Sequence, residues 1–154
     1  MIRFSRDRGR PLTPGEQALA ADVFGAALDP APIRIHRAKW FPFQPRNVAM
    51  APDGHIWFHP DSGLWRADFA DAPQLLQAFL VHELTHVWQH QKGVCLLLRR
   101  HPFCRYAYQI EPGRPFRRYG IEQQAMIVED AFAARYAGRR DPALEDLLAE
   151  AGFR

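Results

Sequence analysis

The sequence has little of what would place it outside ordinary globular proteins. It has two cysteines in 154 residues, so no disulfide framework is implied. No apolar run approaches the length of a membrane span, and the charged N-terminus has no apolar leader segment. The formal net charge of +3 is a weak bias and gives little reason to expect a nucleic-acid partner. These absences predict one domain over residues 1–154, located in the cytoplasm.

Basic residues are concentrated between two of the predicted helices. The simplest interpretation of this stretch is a solvated loop. The functional alternative is a surface that attracts an acidic partner, a nucleic acid or a lipid surface. The residues concerned are Arg99, Arg100, Arg105, Arg114, Arg117 and Arg118.

Apolar periodicity and capping signals predict four helices. The strongest begins at Asp71-Ala72-Pro73, and Gly93 ends it after about Lys92. Its apolar stripe contains Leu76, Leu80, Leu84 and Val87. The other helices are predicted over about Thr13 to Leu28, about Tyr119 to Ala137, and from Asp141-Pro142 onwards.

Short alternating segments predict a small amount of β-structure. Ile33 to His36 is one predicted strand, and Asn47 to Ala51 and His55 to His59 form a hairpin around Pro52-Asp53-Gly54. Arg105 to Ile110 is a weaker strand candidate, and Val94 to Leu98 fits strand or helix equally. The expected fold class is α+β, dominated by helices, with a small antiparallel hairpin or sheet.

The strongest helix carries His82-Glu83-Leu84-Thr85-His86, an HExxH pattern. Residues four apart lie on one face of a helix, about 6 Å apart along its axis. Because zinc binds imidazole nitrogen at about 2.0–2.1 Å, two such side chains can converge on one ion. Glu83 lies further round the helix, where it can take a proton from a metal-activated water. The pattern predicts a zinc-dependent hydrolase.

A catalytic zinc needs a third protein ligand, and the Tyr119–Ala137 helix offers two glutamates. Glu122 is preferred because Ala125, one turn later, lets two helices approach closely beneath the site. Glu129 is the alternative. If Glu122 is the ligand, Glu129 and Asp130 are candidates to orient a ligand imidazole.

The two helices together resemble the gluzincin branch of the zincin metallopeptidases. The resemblance rests on HELTH followed by a glutamate in the form E-x-x-A, from Glu122 to Ala125. It implies a zincin-like domain that binds zinc through His82, His86 and Glu122. It also implies Glu83 as general base and acid, and a peptide or protein as substrate.

The chain departs from two related patterns. A metzincin would have glycine at Gln89 and histidine at Lys92. The best-known gluzincins often have an acidic residue four positions after the glutamate ligand, where this chain has Met126. By resemblance, His55 to His59 would be the edge strand that pairs with an extended substrate.

The whole chain also resembles the short bacterial zincin-like proteins labelled Vgr-related. The supporting strings are FPFQPRNVAMAPDG, HPFCRY and YGIEQQA. This resemblance implies little about the substrate.

Two other functions remain open at this point. The first is a zinc amidase or deacetylase that acts on a non-peptide amide. The second is a non-catalytic binding module that uses the arginine-rich loop. The residue that would stabilise the oxyanion is also left open among His101, Arg105, Tyr106, Tyr108 and Tyr119.

Overall fold

Helices form most of the regular structure of the protein. The computed structural model describes residues 8–99 and 105–154. Its helices are α1 (Pro14–Phe24), α2 (Gln74–Gln91), α3 (Leu96–Arg99), α4 (Ile121–Tyr136) and α5 (Pro142–Glu150). The α+β class predicted from the sequence is confirmed.

The predicted start of α1 is confirmed by its capping bonds. The Thr13 hydroxyl accepts from the Glu16 backbone N–H at 3.1 Å, and the Glu16 carboxylate accepts from the Thr13 N–H at 2.9 Å. This reciprocal pair satisfies two N–H groups that a helix leaves without intrahelical partners. Just beyond the C-terminal end of α2, Gly93 has a φ of +83°, a conformation that favours glycine.

The strands form a small mixed sheet in the order β1 (Arg10–Pro11), β2 (Arg34–His36) and β3 (Ile56–Trp57). β1 is antiparallel to β2, whereas β2 and β3 are parallel. The small sheet expected from the sequence is present, but it is mixed where an antiparallel hairpin or sheet was expected. Of the predicted hairpin, a single bridge between Met50 and Trp57 is present.

The hairpin stays short because Val48 is bonded elsewhere. The Val48 N–H donates to the Pro45 carbonyl at 3.3 Å, and the Val48 carbonyl accepts from the Gln44 side-chain amide at 2.9 Å. These bonds compete with a second rung of the ladder. Two other expectations also change: Arg105 to Ile110 is not a strand, and the ambiguous segment after Gly93 contains the short helix α3.

The apolar core fixes the position of α2. Leu80, Leu84 and Val87 are fully buried, as the predicted stripe requires. Burial of each such side chain stabilises the fold by about 1.5–3 kcal/mol. α4 packs along α2, with Ala125 fully buried at their interface. No helix in the described parts of the chain is long and apolar enough to cross a membrane.

Candidate metal centre

The packing of α2 against α4 brings three predicted residues together. His82 and His86 lie one turn apart on α2, and Glu122 lies in the first turn of α4. One oxygen of Glu122, Oε2, is 3.3 Å from Nε2 of His82 and 3.1 Å from Nε2 of His86. One ligand atom from each residue lies within 4.8 Å of the others. All three side chains are buried.

The spacing of these atoms fits a small tetrahedral cation. Ligand atoms at about 2.0–2.2 Å from a tetrahedral zinc are separated by roughly 3.3 Å. The distances from Oε2 of Glu122 to the two Nε2 atoms, 3.3 and 3.1 Å, are close to this value. The cluster can therefore accept an ion with little rearrangement.

His86 is oriented by a buried chain of two amides. Its Nδ1–H donates to Oε1 of Gln89 at 2.9 Å. The Gln89 amide nitrogen donates to the Ile121 carbonyl and to Oε1 of Gln124, each at 2.9 Å. Because both of these partners are acceptors, Oε1 of Gln89 must face the imidazole. A hydrogen of His86 is therefore held on Nδ1, which leaves Nε2, the nitrogen that faces Glu122, as the atom that can bind a metal.

Sequence reasoning missed this role of Gln89 and Gln124. The available signal was the spacing of Gln89, three residues after His86 and hence on the same helix face. Gln124 accepts from Gln89 and in turn donates to the Tyr119 carbonyl at 3.0 Å, so it joins the helix that carries the histidines to the start of α4.

His82 is oriented by a carboxylate in place of an amide. Its Nδ1–H donates to Oε2 of Glu129 at 2.9 Å. Glu129 therefore lies behind the ring, away from the Glu122 oxygen, in the orienting position that the sequence had suggested for it. Asp130, the other candidate for that role, accepts from the Tyr108 hydroxyl at 2.6 Å.

The three side chains are strongly coupled when no metal is bound. Burial alone would lower the pKa of His82, but hydrogen bonds to Glu122 and Glu129 outweigh it and raise the pKa to about 10. Burial opposes ionisation of Glu122, yet its hydrogen bonds with His82 and His86 hold its pKa well below the usual range. A metal ion would take the place of the protons that these groups share.

Glu83 lies beside the cluster in a cleft of about 240 Å³. The cleft is also lined by both histidines, Glu122 and Tyr106. The Glu83 side chain is 6% exposed, and its charge is close enough to contribute to the raised pKa of His82. The structure thus places the predicted base and the predicted ligands around one solvent-accessible space.

Comparison with known proteins gives one relationship. No protein-family model matches the sequence. The chain is 40% identical over 135 residues to the type VI secretion system spike protein VgrG2b of Pseudomonas aeruginosa. The solved effector domain of that VgrG2b superposes with a TM-score of 0.75 at 36% identity, and the match covers 94% of this chain and 80% of the solved domain. The chain belongs to the VgrG2b effector-domain family.

The relationship covers a small part of the spike protein. The aligned region is 82% of this chain but 13% of the full VgrG2b sequence. It confirms the Vgr-related resemblance drawn from the sequence.

The tyrosines near the centre of this VgrG2b-type domain have different environments. Tyr108 is bonded to Asp130, and burial together with that carboxylate raises the pKa of its hydroxyl. The Tyr119 hydroxyl accepts from the Glu111 N–H at 3.1 Å. Tyr106 is 47% exposed and stacks over His82 at 6.4 Å between ring centroids. Among the described residues, its hydroxyl has no hydrogen-bond partner.

The structure changes the expectation that His55 to His59 is the edge strand that pairs with a substrate. Both sides of β3 are occupied at Trp57, because β2 pairs with one side and Met50 with the other. The segment that lines the cleft is Asn47 to Ala49 instead. Backbone groups of successive strand residues point to opposite sides, so Ala49 faces away from Trp57. Its N–H and carbonyl have no hydrogen-bond partner in the described structure.

Three other histidines, namely His55, His59 and His90, lie away from the cluster. His90 is exposed and packs against Gly54, where an added Cβ would lie 2.8 Å from the imidazole. His55 and His59 each accept a backbone N–H at Nδ1, and they join no metal-ligand cluster among the described residues. Arg100, His101 and Cys104, which the sequence places near Cys95, lie outside the described residues.

Proposed function

We propose that this domain is a zinc metallopeptidase that cleaves peptide bonds in a peptide or protein. The observation that carries the proposal is the convergence of His82, His86 and Glu122 beside Glu83 in one cleft. The resemblance to zincin metallopeptidases that was drawn from the sequence is part of this proposal.

The donor set favours zinc among the common metals. Two imidazole nitrogens and one carboxylate oxygen, with a fourth position open, are the ligands of many catalytic zinc sites. When bound, zinc lowers the pKa of a coordinated water towards about 7 and polarises the substrate carbonyl. Glu129 and Gln89 support this role because they hold both rings with Nε2 turned to the cluster.

Glu83 is the proposed general base and acid. Its carboxylate accepts a proton from the attacking water and delivers that proton to the leaving amine. The position of Glu83 in the cleft supports this role, since the other two carboxylates that line the cleft, Glu122 and Glu129, are hydrogen-bonded to the ligand imidazoles.

Tyr106 is the proposed donor to the oxyanion. Of the three tyrosines considered, only its hydroxyl has no partner in the described part of the chain, and its ring lies against His82 in the cleft. A phenol hydroxyl can hydrogen-bond to the negative charge that develops on the attacked carbonyl oxygen.

Ala49 favours a peptide over another amide as the substrate. Ala49 lines the cleft, and because its N–H and carbonyl have no partner among the described residues, they are the proposed groups with which an extended chain pairs as an added strand. A non-peptide amide has no extended backbone that could pair with these groups. The relative is a type VI secretion system spike protein with an effector domain, which supports a role for this domain as a secreted effector.

The test is hydrolysis of a mixed peptide library by the zinc-loaded protein, followed by mass spectrometry. Glu83→Gln should retain one zinc per chain and lose activity by about 10²–10⁴-fold, because the general base is removed. Tyr106→Phe should lower kcat by about 10²-fold with unchanged zinc content. Glu111→Gln is the matched control, since Glu111 is an exposed carboxylate paired with Arg114 outside the cleft.

Two results would contradict the proposal. Cleavage by Glu83→Gln at the wild-type rate would remove Glu83 from the mechanism. Inactivity of the zinc-loaded protein on peptides, with activity on N-acetylated sugars or other non-peptide amides, would favour the amidase alternative.

A further inference from the structure

A second cavity adjoins the metal centre and is lined by positive charge. It has a volume of about 450 Å³ and lies between the C-terminal end of α2 and the N-terminal end of α4. Three basic side chains line it, namely Lys92, Arg105 and Arg117. We call this cavity the basic pocket. Among the described residues that line it, Glu122 is the only acid, and its carboxylate is already held by the two imidazoles.

The three cations of the basic pocket have no compensating partner within residues 8–99 and 105–154. Elsewhere in the protein, Arg114 pairs with Glu111 at 3.0 Å and Arg135 pairs with Glu145 at 2.6 Å. Lys92, Arg105 and Arg117 have no side-chain hydrogen bond or ion pair in the described structure. The neighbouring residues 100–104 contain no acidic residue in their sequence.

The start of α4 adds to this positive field. Gly120 and Ile121, which begin the helix, both line the basic pocket. The N-terminus of a helix carries a partial positive charge from its aligned peptide dipoles. Three uncompensated cations around one concave site would therefore attract an anion from solvent.

The basic pocket lies close to the proposed site of hydrolysis. Glu122 lines both the pocket and the cleft of the metal centre. Arg105 lines the pocket, whereas the next residue, Tyr106, lines the cleft. The two cavities therefore share part of their lining, and a group bound in the pocket would belong to a substrate residue near the scissile bond.

We infer that the basic pocket binds a carboxylate of the substrate and makes the domain selective for acidic peptides. This inference rests on the proposed peptidase function. Guanidinium groups bind carboxylates through paired, charge-assisted hydrogen bonds, which an uncharged amide of the same shape cannot replace. The carboxylate can belong to an Asp or Glu side chain or to the C-terminus of a peptide.

A binding experiment tests the inference without requiring turnover. The zinc-loaded Glu83→Gln protein is titrated with three peptides and the change in intrinsic fluorescence is followed, because Trp88, one of four tryptophans, lines the pocket. N-acetyl-triglutamate amide carries side-chain carboxylates alone, N-acetyl-trialanine carries a C-terminal carboxylate alone, and N-acetyl-triglutamine amide carries neither. At least one of the first two should bind ten times more tightly than the third.

Charge variants then locate the binding site. Arg105→Gln and Arg117→Gln should each weaken the preferred peptide by about tenfold or more, because each removes a charge-assisted contact. Both side chains are exposed and unbonded, so the fold should tolerate the changes. Arg139→Gln is the matched control, because Arg139 is an exposed arginine that does not line the pocket.

Equal binding of the triglutamine peptide would overturn the inference. Equal loss in Arg139→Gln would also overturn it, because the effect would then come from overall charge. Unchanged binding in both pocket variants would show that the carboxylate contacts the metal centre instead.

Cleavage data separate this inference from the proposed function. Hydrolysis by the wild-type protein with no preference for acidic peptides would refute the role of the pocket and leave the peptidase intact. Absence of hydrolysis together with charge-dependent binding would refute the peptidase and, with it, the role of the pocket in selecting a substrate for cleavage.

Discussion

The two histidines of the cluster are held in contrasting ways. His86 donates to Gln89, a fully buried amide whose other bonds join α2 to α4. His82 donates to Glu129, a carboxylate that is 24% exposed at the edge of the cleft. The amide side belongs to the packed interior of the protein, whereas the carboxylate side adds a negative charge near solvent. Both contacts orient an imidazole. The contact with Gln89 also joins two helices of the fold, whereas the contact with Glu129 also places a negative charge near solvent.

The largest effect is expected on the amide side. Gln89→Leu keeps the side chain similar in size but leaves the His86 Nδ1–H, the Ile121 carbonyl and Oε1 of Gln124 without their partner. We expect the free energy of unfolding to fall by about 3 kcal/mol. Zinc affinity should fall by about 10–100-fold. Urea denaturation and competition with a zinc chelator measure the two effects.

Gln109→Leu is the control for the amide side, because Gln109 is exposed and has no hydrogen bond in the described structure. A Gln89→Leu protein with wild-type stability would show that the amide chain does not join the two helices.

A smaller effect is expected on the carboxylate side. Glu129→Gln keeps an oxygen that can accept from His82 but removes the charge. Zinc affinity should fall by about tenfold, while the free energy of unfolding of the metal-free protein changes by less than about 1 kcal/mol. Asp130→Asn is the adjacent control, because Asp130 accepts from Tyr108 and contacts no ligand imidazole by a hydrogen bond. Equal damage to stability in the Glu129 and Gln89 variants would remove the contrast.

The smallest expected effect is a proton released on zinc binding. The pKa of His82 is raised to about 10 in the metal-free protein, so His82 is charged at pH 8 and must lose a proton when zinc binds. A raised folded-state pKa stabilises the metal-free fold fully below the ordinary value of 6.5 and ceases to do so as the pH rises through about 10. Calorimetry in buffers of different ionisation enthalpy should detect at least one proton at pH 8, because a zinc-bound water with a pKa near about 7 adds to the proton from His82. Release of no proton at that pH would mean that His82 is neutral there.

The cluster was predictable from the sequence where it depends on a single helix. His82, Glu83 and His86 have a spacing that fixes their common face once the helix is assigned, and the helix has clear limits at Pro73 and Gly93. Glu122 could be preferred over Glu129 but not chosen with certainty, because the choice depends on how α4 is rotated against α2. The structure shows both glutamates on the same side of α4, at opposite nitrogens of His82.

Features that depend on distant segments were missed. The partners of Gln89 lie 32 and 35 residues away on α4, and no local pattern announces them. The strand Arg10–Pro11 has two residues and therefore no periodicity to detect. The parallel pairing of Ile35 with Ile56 follows from the path of the chain, since the same alternating residues could have formed an antiparallel pair.

The most direct test of the account is the metal content of the purified protein and of three variants, His82→Ala, His86→Ala and Glu122→Ala. We expect one zinc ion per chain in the wild-type protein, measured by inductively coupled plasma mass spectrometry. Each variant should contain almost none while circular dichroism shows an unchanged helix content. One zinc ion per chain in the Glu122→Ala and His82→Ala proteins, at wild-type affinity, would contradict the account, because the ion would then be held elsewhere.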